Sequence, residues 1–244
     1  MPGSWERDAA VHVLIGISHT WMMHPDWAWS LIRLNKSVEG KKTRVSYSFQ
    51  HDAPYDLARN KLAQECLDSG ADYLFMLDTD MVLPTFALEQ LYSHKLPIVG
   101  GMYFRRHPNA FPLMFKFREG STMMDPIPQH EIKPGLNEVD GMGMGCTLIH
   151  RKVFETLRDN GHAKELSIPS EGTTYKIREF FKFAATEPPY VSEDLWFCIA
   201  ARQAGFKLYV DSSVSCGHIL STMMVKNGGP TWTPLETGRG SDGI

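Results

Sequence analysis

Cysteine is sparse in this chain and never clustered. Cys66, Cys146, Cys198 and Cys216 stand far apart, with no CxxC pair and no zinc-ligand spacing. That excludes a disulfide framework and a zinc module, and the four read as reduced thiols in a cytoplasmic protein. Long apolar runs are missing too: none approaches the roughly 20 residues of a membrane span, and Met1 to Ala10 is polar and charged. A soluble chain without anchor or targeting segment is expected. Neither sign of charge dominates, with 25 Lys and Arg against 28 Asp and Glu and a formal net charge of -3. The electrostatic footprint of a nucleic-acid binder is therefore lacking, and an anionic ligand has to be held by local groups. What remains is a chain of 244 residues, long enough for one large α/β domain, or two small ones, with a full core.

The most informative stretch runs from Asp72 to Pro84. Tyr73 to Leu77 is a short apolar run that suits an interior parallel strand, and it leads directly into Asp78 and Asp80. Open α/β sheets bind ligands at the carboxyl ends of their strands. Strand alternation would turn both carboxylates the same way, where they could hold a hard divalent cation, Mg2+ or Mn2+, against a diphosphate. Two aspartates in this place can equally cap a turn or the next helix.

Around this stretch the chain alternates strands and helices. Val11 to Ile17 reads as a first strand whose exit, Gly16-Ile17-Ser18-His19, would meet a base or ribose. Trp21, Trp27 and Trp29 flank or lie in a helical segment from Pro25 to Leu34, as core residues or as stacking surfaces. Thr43 to Phe49 alternates as a second strand. Pro54 to Gly70 has a helical stripe of Ala58, Leu62 and Cys66. Arg59, on another face, is a diphosphate contact or a surface ion pair with Asp56. A helix from Phe86 to Ser93 follows, then a strand from Leu96 to Phe104 that ends in the basic cluster Arg105-Arg106-His107, facing phosphate or solvent. Phe111 to Phe117 reads as an edge strand and Met123 to Pro134 as a proline-rich loop.

Gly141, Gly143 and Gly145 alternate ahead of a strand from Thr147 to His150 and a helix from Arg151 to Asp159. Such glycines permit close approach of a ligand or unusual backbone angles, and their spacing is not the dinucleotide fingerprint. Gly161 to Pro189 lacks periodicity and reads as a mobile acceptor loop. Ser192 caps a helix whose first turn holds Glu193 and Asp194, where acids complement the dipole. A strand from Phe206 to Val210 leads to His218, a structural side chain or a ligand. Beyond Ser221 the tail is polar and glycine-rich.

In their order these pieces resemble the GT-A-fold nucleotide-sugar glycosyltransferases, family 2 in particular. The resemblance rests on Ala58-Arg59-Asn60, on Leu74-Phe75-Met76-Leu77-Asp78-Thr79-Asp80 with Pro84, on Gly143 to Phe154, and on Glu193-Asp194 followed by Ala204-Gly205-Phe206-Lys207-Leu208-Tyr209-Val210. It covers residues 11 to 218. It implies a single Rossmann-like α/β domain, 1–220, with a mostly parallel central sheet flanked by helices. Residues 11–104 would form the nucleotide-sugar half and 105–220 the acceptor half, with a flexible tail at 221–244.

The resemblance also implies roles. Asp78 and Asp80 would hold Mn2+ or Mg2+ on the diphosphate of a UDP- or GDP-linked sugar, with His218 as third ligand. Asp194 would be the general base toward an acceptor hydroxyl, supported by Glu193, and would invert the anomeric carbon. Ile17, Ser18, His19, Arg59 and Thr79 would line the donor site; Gly143, Met144, Gly145 and Trp196 would face the acceptor. The Gln-x-x-Arg-Trp element of processive synthases is absent, so single transfer is expected. Two other readings stand beside this one. Leu77 to Val82 also looks like the nucleophile motif of haloacid-dehalogenase-type phosphatases, and a GT-A-like module could bind sugar nucleotides or glycans without turnover.

Overall fold

The computed structural model describes residues 10–19, 23–51, 53–107, 110–121, 123–170, 173–184, 191–220, 223–225 and 233–234. The chain opens with β1 (Val11–His19), α1 (Pro25–Val38), β2 (Thr43–His51), α2 (Tyr55–Asp68) and β3 (Tyr73–Asp78). Then come β4 (Met81–Val82), α3 (Ala87–Ser93), β5 (Ile98–Met102), β6 (Met114–Phe117), β7 (Met124–Pro126), β8 (Leu136–Val139), β9 (Gly141–Met142) and β10 (Cys146–His150). The last part holds α4 (Arg151–Asp159), β11 (Lys164–Ser170), β12 (Thr173–Glu179), α5 (Glu193–Gln203), β13 (Leu208–Ser215), β14 (Gly217–Leu220), β15 (Met223–Val225) and β16 (Thr233–Pro234).

A seven-stranded sheet in the order β2-β1-β3-β10-β5-β13-β8 forms the middle layer. Its strand β3 is buried throughout Tyr73–Leu77, as an apolar run with helices on both sides requires. On one face Leu14, Leu74, Met76 and Ile149 pack with Leu62 and Cys66 of α2, Val153, Phe154 and Leu157 of α4, and Phe197 and Ala201 of α5. On the other, Val13, Ile15, Ile17, Phe75 and Leu77 meet Trp27, Leu34 and Val38 of α1 and Leu88 and Leu91 of α3. Each such large apolar side chain contributes about 1.5–3 kcal/mol on burial.

The sheet is mixed rather than mostly parallel. β1 pairs parallel with β2 and β3, and β5 with β13, but β10 is antiparallel to both β3 and β5, and β8 to β13. Parallel neighbours need a long crossover, usually a helix. Among the described residues the chain from β5 to β10 has only short strands and a 3-10 turn at Gln129–Glu131, and β10 returns reversed into the gap between β3 and β5. β1, β2, β3, β5 and β13 still share one direction, and their carboxyl ends gather at the edge where the chain enters β10.

Three sequence readings need correction. The stretch read as a mobile loop contains the β11–β12 hairpin, paired from Lys164↔Glu179 to Ser170↔Thr173. Its alternation of Leu166 and Ile168 opposite Ile177 and Tyr175 was hidden among charged residues; residues 185–190 lie outside the description. The proline-rich loop contains β7, paired with β6. In the tail, β15 and β16 join β14 and β4 in a small antiparallel sheet, while the rest of 221–244 lies outside the described residues.

Candidate functional site

Three stretches of chain meet at the carboxyl edge of the sheet around one guanidinium. Arg59 is only 2% exposed although it sits on a helix near the surface. Its Nη1 and Nη2 donate to Oδ1 and Oδ2 of Asp78, at 3.1 and 3.2 Å. Its Nε donates to Glu193 Oε1 at 3.4 Å and lies 3.1 Å from Asp194 Oδ1. Ser18 at the end of β1 donates its hydroxyl to Asp78 Oδ1 at 3.1 Å. Burial alone would lower the Arg59 pKa, but Asp194, Asp78 and Glu193 together raise it well above its ordinary value. Arg59 is thus the hub of the site, and the surface pair with Asp56 is not formed: Asp56 Oδ1 accepts from the Leu57 N–H instead.

The residue after Arg59 supports this placement. Asn60 is buried and clamps the Phe181 backbone, its Nδ2 donating to Phe181 O and its Oδ1 accepting from Phe181 N–H, both at 2.8 Å. The Phe181 ring stacks on Phe197 of α5 at 4.6 Å between centroids. Through this contact α2 fixes α5, and the first turn of α5, capped by Ser192, presents Glu193 and Asp194 to Arg59. Asp194 is further held by the Met144 N–H, which donates to its Oδ2 at 3.1 Å. Burial pushes the Asp194 carboxyl up to about 7, with Arg59 opposing and Glu193 and Asp78 adding to the rise.

Asp80 belongs to a second cluster. The strand ends at Asp78 and the chain turns through Thr79-Asp80, so strand alternation does not extend to Asp80 and the two aspartates take different partners. Asp80 Oδ2 lies 2.8 Å from Arg106 Nη1 and 3.4 Å from His218 Nε2. Asp80 Oδ1 is buried without a hydrogen-bond partner. β14 brings His218 here by pairing with β4, His218 opposite Met81. The His218 Nδ1–H donates to Phe104 O at 2.6 Å, which leaves Nε2 facing the carboxylate. Burial raises the Asp80 pKa, yet His218 and Arg106 hold it below its ordinary value.

The Gly143–Gly145 turn forms the back wall. Tyr103, buried after β5, accepts a hydrogen bond from Gly145 N–H at 2.9 Å, and its ring meets His218 edge-on at 5.4 Å. A Cβ on Gly143 would collide with the Tyr103 hydroxyl, and one on Gly145 would lie 3.1 Å from both that hydroxyl and Asp78 Oδ2. Close approach is the reason for these two glycines, and the group that approaches is Tyr103. Burial, with Asp194 and Asp78 nearby, drives the Tyr103 pKa far up, so the phenol keeps its proton. Tyr55 stands half exposed at the mouth, its ring centroid 5.9 Å from Arg59 Cζ.

The remaining sequence candidates fall into place around this core. Ile17 lies wholly in the core and offers only backbone, which pairs with β2 and β3. His19 ends β1, and Thr79 is half-buried in the turn. Gly143, Met144 and Gly145 are buried, with their backbone holding Asp194, Tyr103 and the Asp78 N–H. Trp196 on α5 carries the Lys182 ammonium 5.1 Å above its ring. Sequence reasoning missed Tyr103 and the task of Asn60; the alternating glycines signalled a close neighbour without naming it.

Four carboxylates and two guanidinium groups thus share one partly closed region, which leaves an excess of negative charge. Among the described residues no three His, Cys, Asp or Glu side chains converge as a metal-binding group. Asp80, with His218 beside it, could supply the sparse protein share of a site for a hard divalent cation, in which phosphate and water provide most of the ligands. No helix among the described residues is long and apolar enough to cross a membrane.

No protein-family model and no curated protein sequence matches this chain. Among solved structures it is similar to A197 from STIV, at a TM-score of 0.57 and 14% identity over 92% of this chain and 93% of that one. It also shows a fainter likeness to apo-UDP-glucose pyrophosphorylase, with a TM-score of 0.41 and 10% identity over 83% and 90% of the two chains. The likeness to A197 is one of overall fold.

Proposed function

We propose that this protein is a GT-A-type glycosyltransferase that moves a sugar from a nucleotide-diphosphate donor to an acceptor hydroxyl. The observation that carries the reading is the convergence of Ser18, Arg59, Asp78, Glu193 and Asp194 around one buried guanidinium. Residues from four separate stretches would have no reason to be gathered around a buried guanidinium by packing alone, since taking an ionised group out of water costs several kcal/mol before pairing. Residues 11–104 form the donor half in this reading and 105–220 the acceptor half of one Rossmann-like domain.

Asp194 is assigned as general base. A carboxyl raised to about 7 is matched to taking a proton near neutrality, and the Met144 N–H keeps one of its oxygens aimed. Attack on the face opposite the leaving group gives inversion. Arg59 holds Asp194 and Asp78 in register, and Glu193 shares that duty or meets the acceptor. Asp80 and His218 would hold Mn2+ or Mg2+; the Phe104 carbonyl fixes the His218 tautomer, and the unpartnered Asp80 Oδ1 fits a cation. When bound, that ion stabilises the charge growing on the departing diphosphate. Asp78 stands behind as the third group, already engaged by Arg59. This also weighs against the phosphatase alternative, because both Asp78 oxygens are taken and neither is free to attack phosphorus.

The test is thermal unfolding with UDP, GDP and their sugar conjugates, with Mn2+ and then with excess chelator. A nucleotide at one hundred times its Kd stabilises by about 2.7 kcal/mol, a rise of several degrees, roughly 2–4 °C per kcal/mol for a chain of this size. The expected outcome is a cation-dependent rise for one base that Asp80→Ala abolishes. No rise with any nucleotide, or one indifferent to chelator and to Asp80→Ala, contradicts the reading.

A further inference from the structure

The basic cluster after β5 divides its duties. Arg105 turns outward, its Cζ 5.5 Å from the centroid of the Phe111 ring, and its N–H donates to Phe111 O. Arg106 turns inward and sets its Nη1 2.8 Å from Asp80 Oδ2 while keeping 45% of its side chain exposed. The same carboxylate oxygen faces His218 Nε2 at 3.4 Å, and the other oxygen is buried and unpaired. One carboxylate is therefore shared by an arginine and by the bare nitrogen of an imidazole whose N–H is fixed on Phe104 O, two residues before Arg106.

We infer that Arg106 is an exchangeable arm which pairs with Asp80 when no divalent cation is present and passes to the phosphates of a diphosphate ligand when one arrives. The inference rests on the donor-site reading above. A dication held by Asp80 and His218 would repel a guanidinium that touches the same carboxylate. Arg106 is long and half exposed, so leaving Asp80 exposes its charge to solvent rather than stranding it. A planar fork released beside a cation-bound diphosphate has a bidentate acceptor within its reach. Arg59 cannot take this part, because it is sealed among three carboxylates. The arm thus supplies a positive charge to the ligand only after the cation has displaced it, so that cation and diphosphate bind in favour of one another.

Calorimetric titrations of the full chain separate the possibilities: Mn2+ alone, then pyrophosphate in saturating Mn2+, for wild type, Arg106→Ala, Arg106→Lys and Arg105→Ala. Removing the competitor should tighten Mn2+ about two- to fivefold in Arg106→Ala, the size of one exposed ion pair, and weaken pyrophosphate by at least about tenfold. Arg106→Lys should bind Mn2+ like wild type, and Arg105→Ala should match wild type in both titrations. A disturbed fold cannot tighten one ligand while loosening the other. If wild type binds both ligands and Arg106→Ala leaves Mn2+ affinity unchanged or lower, the arm is overturned while the donor site stands. A wild type that binds neither Mn2+ nor pyrophosphate overturns the donor site itself, and the arm with it.

Discussion

Two missing methyl groups and one hydroxyl determine the wall of the site. Gly143 and Gly145 leave room for the Tyr103 phenol, which accepts from Gly145 N–H and touches His218. Gly143→Ala should cost about 1–3 kcal/mol by overpacking, read as a drop in the urea midpoint. Tyr103→Phe removes the atom that a new Cβ meets first, so the double variant should recover part of that loss, a coupling of about 1 kcal/mol. Strict additivity of the two changes would mean that the glycine serves something other than the hydroxyl. The alternation of glycines was legible in the sequence. Its cause was not, because Tyr103 lies 40 positions away and only the β5–β10 pairing brings the two together.

At the level of elements, the link between α2 and α5 decides where the acids stand. Asn60 gives both halves of its amide to the Phe181 backbone, and Phe181 stacks on Phe197. Asn60→Ala leaves a buried N–H and a buried carbonyl without partners, at about 1–3 kcal/mol each. The expected result is a urea midpoint lowered with an unchanged slope; a cost below about 1 kcal/mol would show that the clamp is dispensable. The elements β3, α2 and α5 were readable because their apolar periods are unbroken and their ends carry caps or turn residues. The β11–β12 hairpin and the short strands β7 and β8 were not, since their apolar positions are few and pairing across strands stabilises them.

For the molecule as a whole, a buried anion outside the site links α3 to the bulged strand β13. Asp211 accepts from Gln90 Nε2 at 3.0 Å, from Ser213 N–H and Oγ at 2.8 and 2.6 Å, and pairs with His94 Nε2 at 2.7 Å. Burial opposes ionisation, but these donors bring its pKa down to about 2. The folded value lies below the unfolded one of about 3.9, so the stabilisation is complete above about pH 4 and is lost as pH falls through 2. Asp211→Asn should therefore be less stable than wild type near neutrality by about 2 kcal/mol, with the gap closing between about pH 4 and 2; a gap that persists at pH 2 would assign the loss to packing. The sequence by itself determined the alternation of strand and helix, the core strand that delivers Asp78, and the chemical character of the residues near it, because periodicity and capping are local. Only the tertiary structure decided that the sheet is mixed, that Arg59 gathers Asp78, Glu193 and Asp194, and that Asp80 turns instead to His218 and Arg106. Those outcomes depend on which strands pair and which charges are left in the interior to neutralise one another, and neither is a property of neighbouring residues.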